Sequence, residues 1–235
     1  MEGFPVFPTV GSPWTPGLRA HVWCGYYTGD TMADQSTKNT QPMRNRTYPP
    51  GYGLVEPVAN YRPWDVDEEF QRIYQLVKDN TMVDVFRLWV LWLIGSQLSG
   101  PGDVLEVGSW RGGSGTLIAR SCAPRKVYLA DTFQGIVKVG GRDTYYKGGE
   151  HANTSVEIVR DLVGSAGLTS VALLEGIFPD DTAESISNSS FSLCHIDVDV
   201  YQSAKETFEW VWPRMVAGGV VVFDDYGFYG CEGVT

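Results

Sequence analysis

The stretch that decides the fold is LEVGSWRGGSGTLIA, residues 105–119. A short apolar run enters a turn dense in glycine, and a helix-forming run leaves it. The segment DVLEVG (103–108) has the composition of a strand buried on both faces. Gly108, Gly112, Gly113 and Gly115 let backbone approach a ligand closely and accept positive φ. The helix that opens after them offers free N–H groups to an anion such as a carboxylate. No Lys-Ser or Lys-Thr follows the last glycine, so this is not a phosphate loop. The glycine spacing also differs from the GxGxxG dinucleotide fingerprint. A tight strand-to-helix turn without a ligand is the plain alternative at this point.

Downstream, strands and helices alternate. KVYLAD (126–131), VALLEG (171–176), FSLCHIDVD (191–199) and GGVVVFDD (218–225) read as strands. SVEIVRDLVGSAG, DTAESISN and SAKETFEWVWPRM read as helices, the last ended by Pro213. Units of this length predict an α/β fold with a doubly wound, mostly parallel sheet and helices on both faces. The chain ends in YGFYGCEGVT, where such a sheet ordinarily continues, so further C-terminal strands are expected to be missing. Upstream, DVDEEFQRIYQLVKDN carries Phe70, Ile73, Tyr74 and Val77 at helical spacing with acids in its first turn. TMVDVFRLWVLWLIGSQL is a second helix, stopped by SGPG. Its apolar part, residues 85–95, is too short to span a bilayer and is interrupted by Arg87. It reads as a core helix or one buried at a subunit interface. Residues 1–60 are dense in Pro, Gly, Thr, Asn and Tyr and read as an irregular extension. Trp14, Trp23, Tyr26 and Tyr27 suggest that this extension packs on something. The expected organisation is an irregular extension (1–60), helical cap or interface helices (61–100) and a cofactor-binding α/β domain (101–235).

The 235 residues suffice for one large domain, and 43% hydrophobic with 20% charged residues is an ordinary globular composition. A net charge of −10 argues against nucleic acid or an anionic membrane as the main partner. Cys24, Cys122, Cys194 and Cys231 are scattered without a CxxC pair and read as reduced thiols. MEGFPVFPTV lacks the features of a signal peptide. Both observations suit a cytoplasmic protein.

Three features carry chemistry. The first is the glycine turn. The second is Asp131, which closes the second strand beside that turn, where an acid typically takes ribose hydroxyls. Glu106 on the first strand joins it, and together they describe a cleft for a nucleoside with a charged tail. Asp131 alone also suits a helix cap. The third is a set of carboxylates at two strand ends, Asp197 and Asp199 on one and Asp224 and Asp225 on the next. Alternation along a strand places Asp197 and Asp199 on one side, with His195 on that face in a structural rather than catalytic role. Carboxylates converging in one crevice repel one another unless a cation lies between them, and oxygen-only donors suit a hard cation such as Mg2+.

These residues resemble a known family. VLEVGSWRGGS, ADTFQG, GGEHANTSVEIV and HIDVDVYQSAKETFEWVWPRMVAGGVVVFDDYGFYGC look like the macrocin, mycinamicin and novobiocin O-methyltransferases. The resemblance covers roughly residues 75 to 235. It implies a class I, Rossmann-like methyltransferase fold. It also implies Mg2+-dependent methyl transfer from S-adenosylmethionine to a sugar hydroxyl of a natural product. By position, it implies metal ligands at Asp197, Asp224 and Asp225, and a general base at Asp199, with the division of labour between Asp197 and Asp199 open. The cofactor's methionine end would lie against Gly108, Ser109, Trp110, Gly112 and Ser114, with Thr81 and Met82 nearby. Asp131 and Thr132 would border the ribose, and Gly176, Ile177 and Phe178 the adenine. Phe133–Asn153 would be a mobile lid. The partner would be a small glycoside with vicinal hydroxyls, and a homo-oligomer stays open. A catechol-type methyltransferase and a non-catalytic cofactor-binding homologue are the alternatives.

Overall fold

A computed structural model describes residues 47–53, 55 and 60–235. The expectations for Trp14, Trp23, Tyr26, Tyr27 and Cys24 lie outside these residues.

Two helices come first, α1 (Glu68–Val77) and α2 (Val85–Ser96). Each starts at an aspartate whose carboxylate accepts backbone N–H groups. Asp67 takes that of Phe70, and Asp84 takes those of Phe86 and Arg87. Then follow β1 (Asp103–Val107), α3 (Gly113–Ser121), β2 (Val127–Asp131), α4 (Val156–Ser165), β3 (Val171–Glu175), β4 (Phe191–Ile196), α5 (Tyr201–Val211) and β5 (Met215–Phe223). A short 3-10 turn, Ala183–Ile186, stands where a helix was expected before β4.

The five strands form one sheet in the order β3-β2-β1-β4-β5, and every pairing is parallel. Alternation along the strands splits the core in two. Leu105, Val107, Tyr128, Cys194 and Val221 face a layer closed by Ala204 and Val211 of α5 and by the 3-10 turn. Val104, Leu129, Leu193 and Val222 face the other layer, closed by Leu91 of α2, Ile118 of α3 and Val159 of α4. Helices α1 and α2 share a further cluster with α3 and α4, in which Phe70, Leu88 and Trp92 meet Leu117 and Leu162. Their apolar faces therefore turn into the α/β domain. No helix among the described residues is long and apolar enough to cross a membrane. Cys122, Cys194 and Cys231 are buried free thiols, as the sequence suggests for them.

The strand order reverses between β1 and β4, because β2 and β3 lie to one side of β1 and β4 and β5 to the other. Open α/β sheets bind ligands at the carboxyl ends of the strands at such a switch point. Here that edge carries both the glycine turn after β1 and the aspartates after β4 and β5.

One boundary differs from the expectation in a way that matters. Strand β4 ends at Ile196, before Asp197 and Asp199. The Asp197 N–H still donates to Val107, but the Val200 N–H turns back to Val198 and Asp199 takes φ 63°. The chain has left extended geometry, so strand alternation does not govern where Asp199 points.

Candidate active site

A crevice of about 410 Å³ opens at the switch point. That lies within the usual range for a small-molecule site. It joins two groups of residues that are far apart in sequence.

The first group follows β1 and β2. Gly108 has φ 93°, and a Cβ there would lie 1.6 Å from the carbonyl oxygen of Asp197. Only glycine lets the β1 and β4 ends pass this closely. Trp110 has φ 46°, and its N–H donates to Asp131 Oδ2 at 2.7 Å. The Phe133 N–H donates to Asp131 Oδ1 at 2.7 Å. Asp131 thus ties the turn after β1 to the turn after β2, and each of its oxygens keeps a lone pair for a ligand. Burial raises the Asp131 carboxyl above its ordinary value, while these two N–H groups pull the other way. At the start of α3, Ser114 and Gly115 carry N–H groups with no partner earlier in the helix.

The crevice is lined by Thr81, Met82, Gly108, Ser109, Trp110, Ser114, Asp131, Thr132, Gly176 and Phe178, ten of the thirteen residues expected around a cofactor. The other three lie elsewhere. Gly112 caps α3 with φ 81° and packs on Val159. The Ile177 N–H turns to Asp181. Glu106 is wholly buried beneath the turn, on the sheet face opposite Leu105 and Val107, and does not line the crevice.

Glu106 instead belongs to a buried chain of charge. It is the register partner of His195, and its Oε1 lies 2.9 Å from His195 Nδ1. His195 Nε2 lies 3.4 Å from Asp224 Oδ1. Burial disfavours the imidazolium, but the hydrogen bonds and charges of Asp224 and Glu106 raise His195 to about 10. The other oxygen of Asp224 forms an ion pair with Arg87 of α2. Asp224 is therefore held below its ordinary value despite its burial, by the Arg87 charge and by His195.

Asp197, Asp199 and Asp225 complete the second group. His195, Asp197 and Asp224 each bring a ligand atom within 4.8 Å of one another, as do Asp199, Asp225 and Cys231. Burial pushes Asp197 and Asp225 well above the ordinary carboxyl value, and the neighbouring carboxylates push the same way. Among the described residues no ion pair reaches either of them. The charges of His195 on Asp197 and of Arg87 on Asp225 pull the other way without reversing the upward shift. Four clustered carboxylates against those two cationic side chains leave oxygen donors and negative charge that fit a hard cation. Asp199 donates its N–H to Asp225 Oδ2 at 2.8 Å. Its Oδ1 accepts the hydroxyl of Tyr146 at 2.6 Å and faces the Cys231 thiol at 3.7 Å. No described donor occupies its Oδ2.

Tyr146 comes from the segment expected to form a lid. That segment is tied down at several points. Asp143 accepts the Tyr201 N–H and so caps α5, which has no cap of its own. The Thr144 hydroxyl donates to Glu232. At the far end, Trp110 Nε1 donates to Asn153 and the Thr154 hydroxyl bonds the Trp110 carbonyl.

Sequence reasoning missed Arg87 and Tyr146 as site residues. Arg87 had a signal, since a lone charge within an apolar helix needs a buried partner. Tyr146 had none, being one of two adjacent tyrosines in a polar stretch.

Comparison with known proteins bears on the whole region. Residues 94–235 match the family described as macrocin-O-methyltransferase (TylF). A curated protein of Streptomyces olivaceus, 8-demethyl-8-(2,3-dimethoxy-alpha-L-rhamnosyl)-tetracenomycin-C 4'-O-methyltransferase, is 33% identical over 56% of this chain and 56% of its own length. The demethyldecarbamoylnovobiocin O-methyltransferase of Streptomyces niveus is 36% identical over 54% and 53% respectively. The chain thus spans about half the length of these curated relatives. The solved structure of the O-methyltransferase NovP is 30% identical and superposes with a TM-score of 0.55, covering 66% of this chain and 70% of that one.

Proposed function

The chain belongs to the macrocin-O-methyltransferase family, and from that premise we propose that it methylates a sugar hydroxyl of a glycosylated natural product, using S-adenosylmethionine and a divalent cation, in the cytoplasm. The observation that carries the reading is the single crevice joining the glycine turn and Asp131 to the aspartates after β4 and β5.

The residues present fit both absent groups. The Gly108–Ser114 turn and the start of α3 suit the charged methionine end, and Asp131 suits ribose hydroxyls. Asp197, Asp224 and Asp225 would hold Mg2+, which supplies Lewis acidity toward vicinal hydroxyls of the acceptor. S-adenosylmethionine, held there, would supply an electrophilic methyl group for the acceptor oxygen, with the thioether as leaving group. The chain's own part is to orient and to move one proton. Asp199 takes the hydroxyl proton on its open Oδ2. The turn and the lid hold both substrates in line and exclude water, and positioning supplies most of the acceleration. No protein nucleophile is required.

The test begins with S-adenosylhomocysteine titrated into the folded chain by calorimetry. Methyl transfer to a panel of rhamnosides and diphenols, with Mg2+ and with chelator, then defines the acceptor class. In the double variant Asp224→Asn/Asp225→Asn turnover should vanish, while affinity for S-adenosylhomocysteine stays within about twofold. Full activity in that variant removes the cation from the reading. A folded chain that ignores S-adenosylhomocysteine removes the activity.

A further inference from the structure

Arg87 is the one charged residue of helix α2, and that charge is directed into the acidic crevice. Arg87 Nε lies 2.8 Å from Asp84 Oδ2, at the start of its own helix. Its Nη1 pairs with Asp224 Oδ2, and its guanidinium lies 4.7 Å over the ring of Phe228. Asp84 and Asp224 are thus bridged by one planar fork, a geometry that suits arginine and not lysine. The carboxylate opposite already has a partner at each oxygen, since His195 faces the other oxygen of Asp224, and each oxygen keeps one lone pair for a cation. The contrast with its neighbours is sharp. Asp197 and Asp225 sit in the same crevice, and no described residue forms an ion pair with either.

We infer that Arg87 is a built-in counter-cation of Asp224, which holds that carboxylate in place before a divalent cation arrives and opposes the cation's binding. The inference rests on the proposal that the crevice takes a divalent cation. Two physical points support it. A guanidinium stays charged at any accessible pH, so it does not yield to an incoming cation by losing a proton. A positive charge against a ligand carboxylate, in a site of low dielectric, repels a divalent ion more strongly than it would in water. The bond to Asp84 gives Arg87 a second seat, so it need not leave the site when a cation takes up Asp224. The consequence is an affinity for the metal set low by design of the chain, with the acidic cluster assembled in its absence.

The experiment uses the full chain without acceptor and Mn2+ alone as the probe, its free concentration followed by electron paramagnetic resonance. Arg87→Gln should bind Mn2+ at least tenfold more tightly than wild type. It should also melt lower without metal and gain more in melting temperature when Mn2+ is added. Arg87→Lys keeps the charge but not the fork, and should tighten binding about threefold; it decides the matter if Arg87→Gln gives no cooperative melt. Equal or weaker binding in the folded variants overturns the role of Arg87 and leaves the cation site standing. Absence of Mn2+ binding in folded wild type and folded variants alike removes the cation site itself.

Discussion

At one end of the crevice the surface offered to a ligand is backbone with one carboxylate, Asp131, and at the other it is a cluster of side chains. The end after β1 and β2 is shaped by Gly108, Trp110 and the first turn of α3, with Asp131 bonded to two N–H groups of the turns it joins. The partners of Asp131 are close in sequence or one βα unit away, and Gly108 alone is set by a distant strand end, at Asp197. The end after β4 and β5 is built from carboxylates whose partners come from everywhere. Arg87 reaches Asp224 from 137 residues away, Glu106 reaches His195 from 89, and Tyr146 reaches Asp199 from 53. A backbone end tolerates little change in shape and is indifferent to most side chains. A side-chain end tolerates changes in shape but depends on charge balance, because each buried carboxylate needs a compensating partner.

The comparison breaks most visibly at Gly108. A methyl group there meets the Asp197 carbonyl, at a backbone angle that L residues avoid. Gly108→Ala should cost about 2–4 kcal/mol of stability by urea unfolding, from overpacking and positive φ together, and abolish S-adenosylhomocysteine binding. A wild-type midpoint would show that the two strand ends separate freely, and the backbone end would lose its claim to rigidity.

At the other end, Tyr146→Phe leaves the shape of segment 133–153 and removes one donor to Asp199. A hydrogen bond to a charged group contributes about 1.5–3 kcal/mol, so turnover should fall roughly ten- to a hundredfold. Affinity for S-adenosylhomocysteine should not change. Both donors engage Oδ1 and leave Oδ2 for the acceptor, so the loss should appear in kcat rather than in the acceptor's KM. A change confined to KM would mean that the tyrosine shapes the acceptor pocket without orienting the aspartate.

The smallest effect concerns pH. Asp131 is raised by burial, so it takes up a proton at a higher pH than a free aspartate. Ionised, it accepts ribose hydroxyls with charge assistance; neutral, it loses that advantage. Calorimetry with S-adenosylhomocysteine should give constant affinity near neutrality. Affinity should then decline a few-fold on acidification, beginning above the ordinary aspartate range of about 4. Asp131→Asn should bind more weakly and without this slope. An unchanged affinity throughout would place the ribose elsewhere.

The local features of the chain were legible before its fold was. The apolar runs of β1 and β2, the glycine turn and the stop after α2 all follow from neighbours a few residues apart. Ten of the thirteen expected cofactor contacts line the crevice; the glycine turn and Asp131 were legible locally, while Thr81, Met82, Gly176 and Phe178 came from the family resemblance. The three exceptions fail on contacts with other parts of the fold: Gly112 packs on Val159, the Ile177 N–H turns to Asp181, and the Glu106 side chain turns to His195. Glu106 was read as a ligand for a nucleoside, yet it is consumed by His195 in the next strand over. Asp197 and Asp199 were assigned by strand alternation, which stops one residue before the first of them.

What the sequence determined by itself is the α/β alternation, the glycine turn and the identity of the acids at three strand ends, because these are set by local propensity, periodicity and backbone freedom. What only the tertiary structure decided is which acids are already paired. Asp224 has Arg87 and His195, Asp199 has Tyr146, and no described cation pairs with Asp197 or Asp225. Electrostatic pairing is a contact between elements that the sheet order brings together, and sequence separation carries no trace of it.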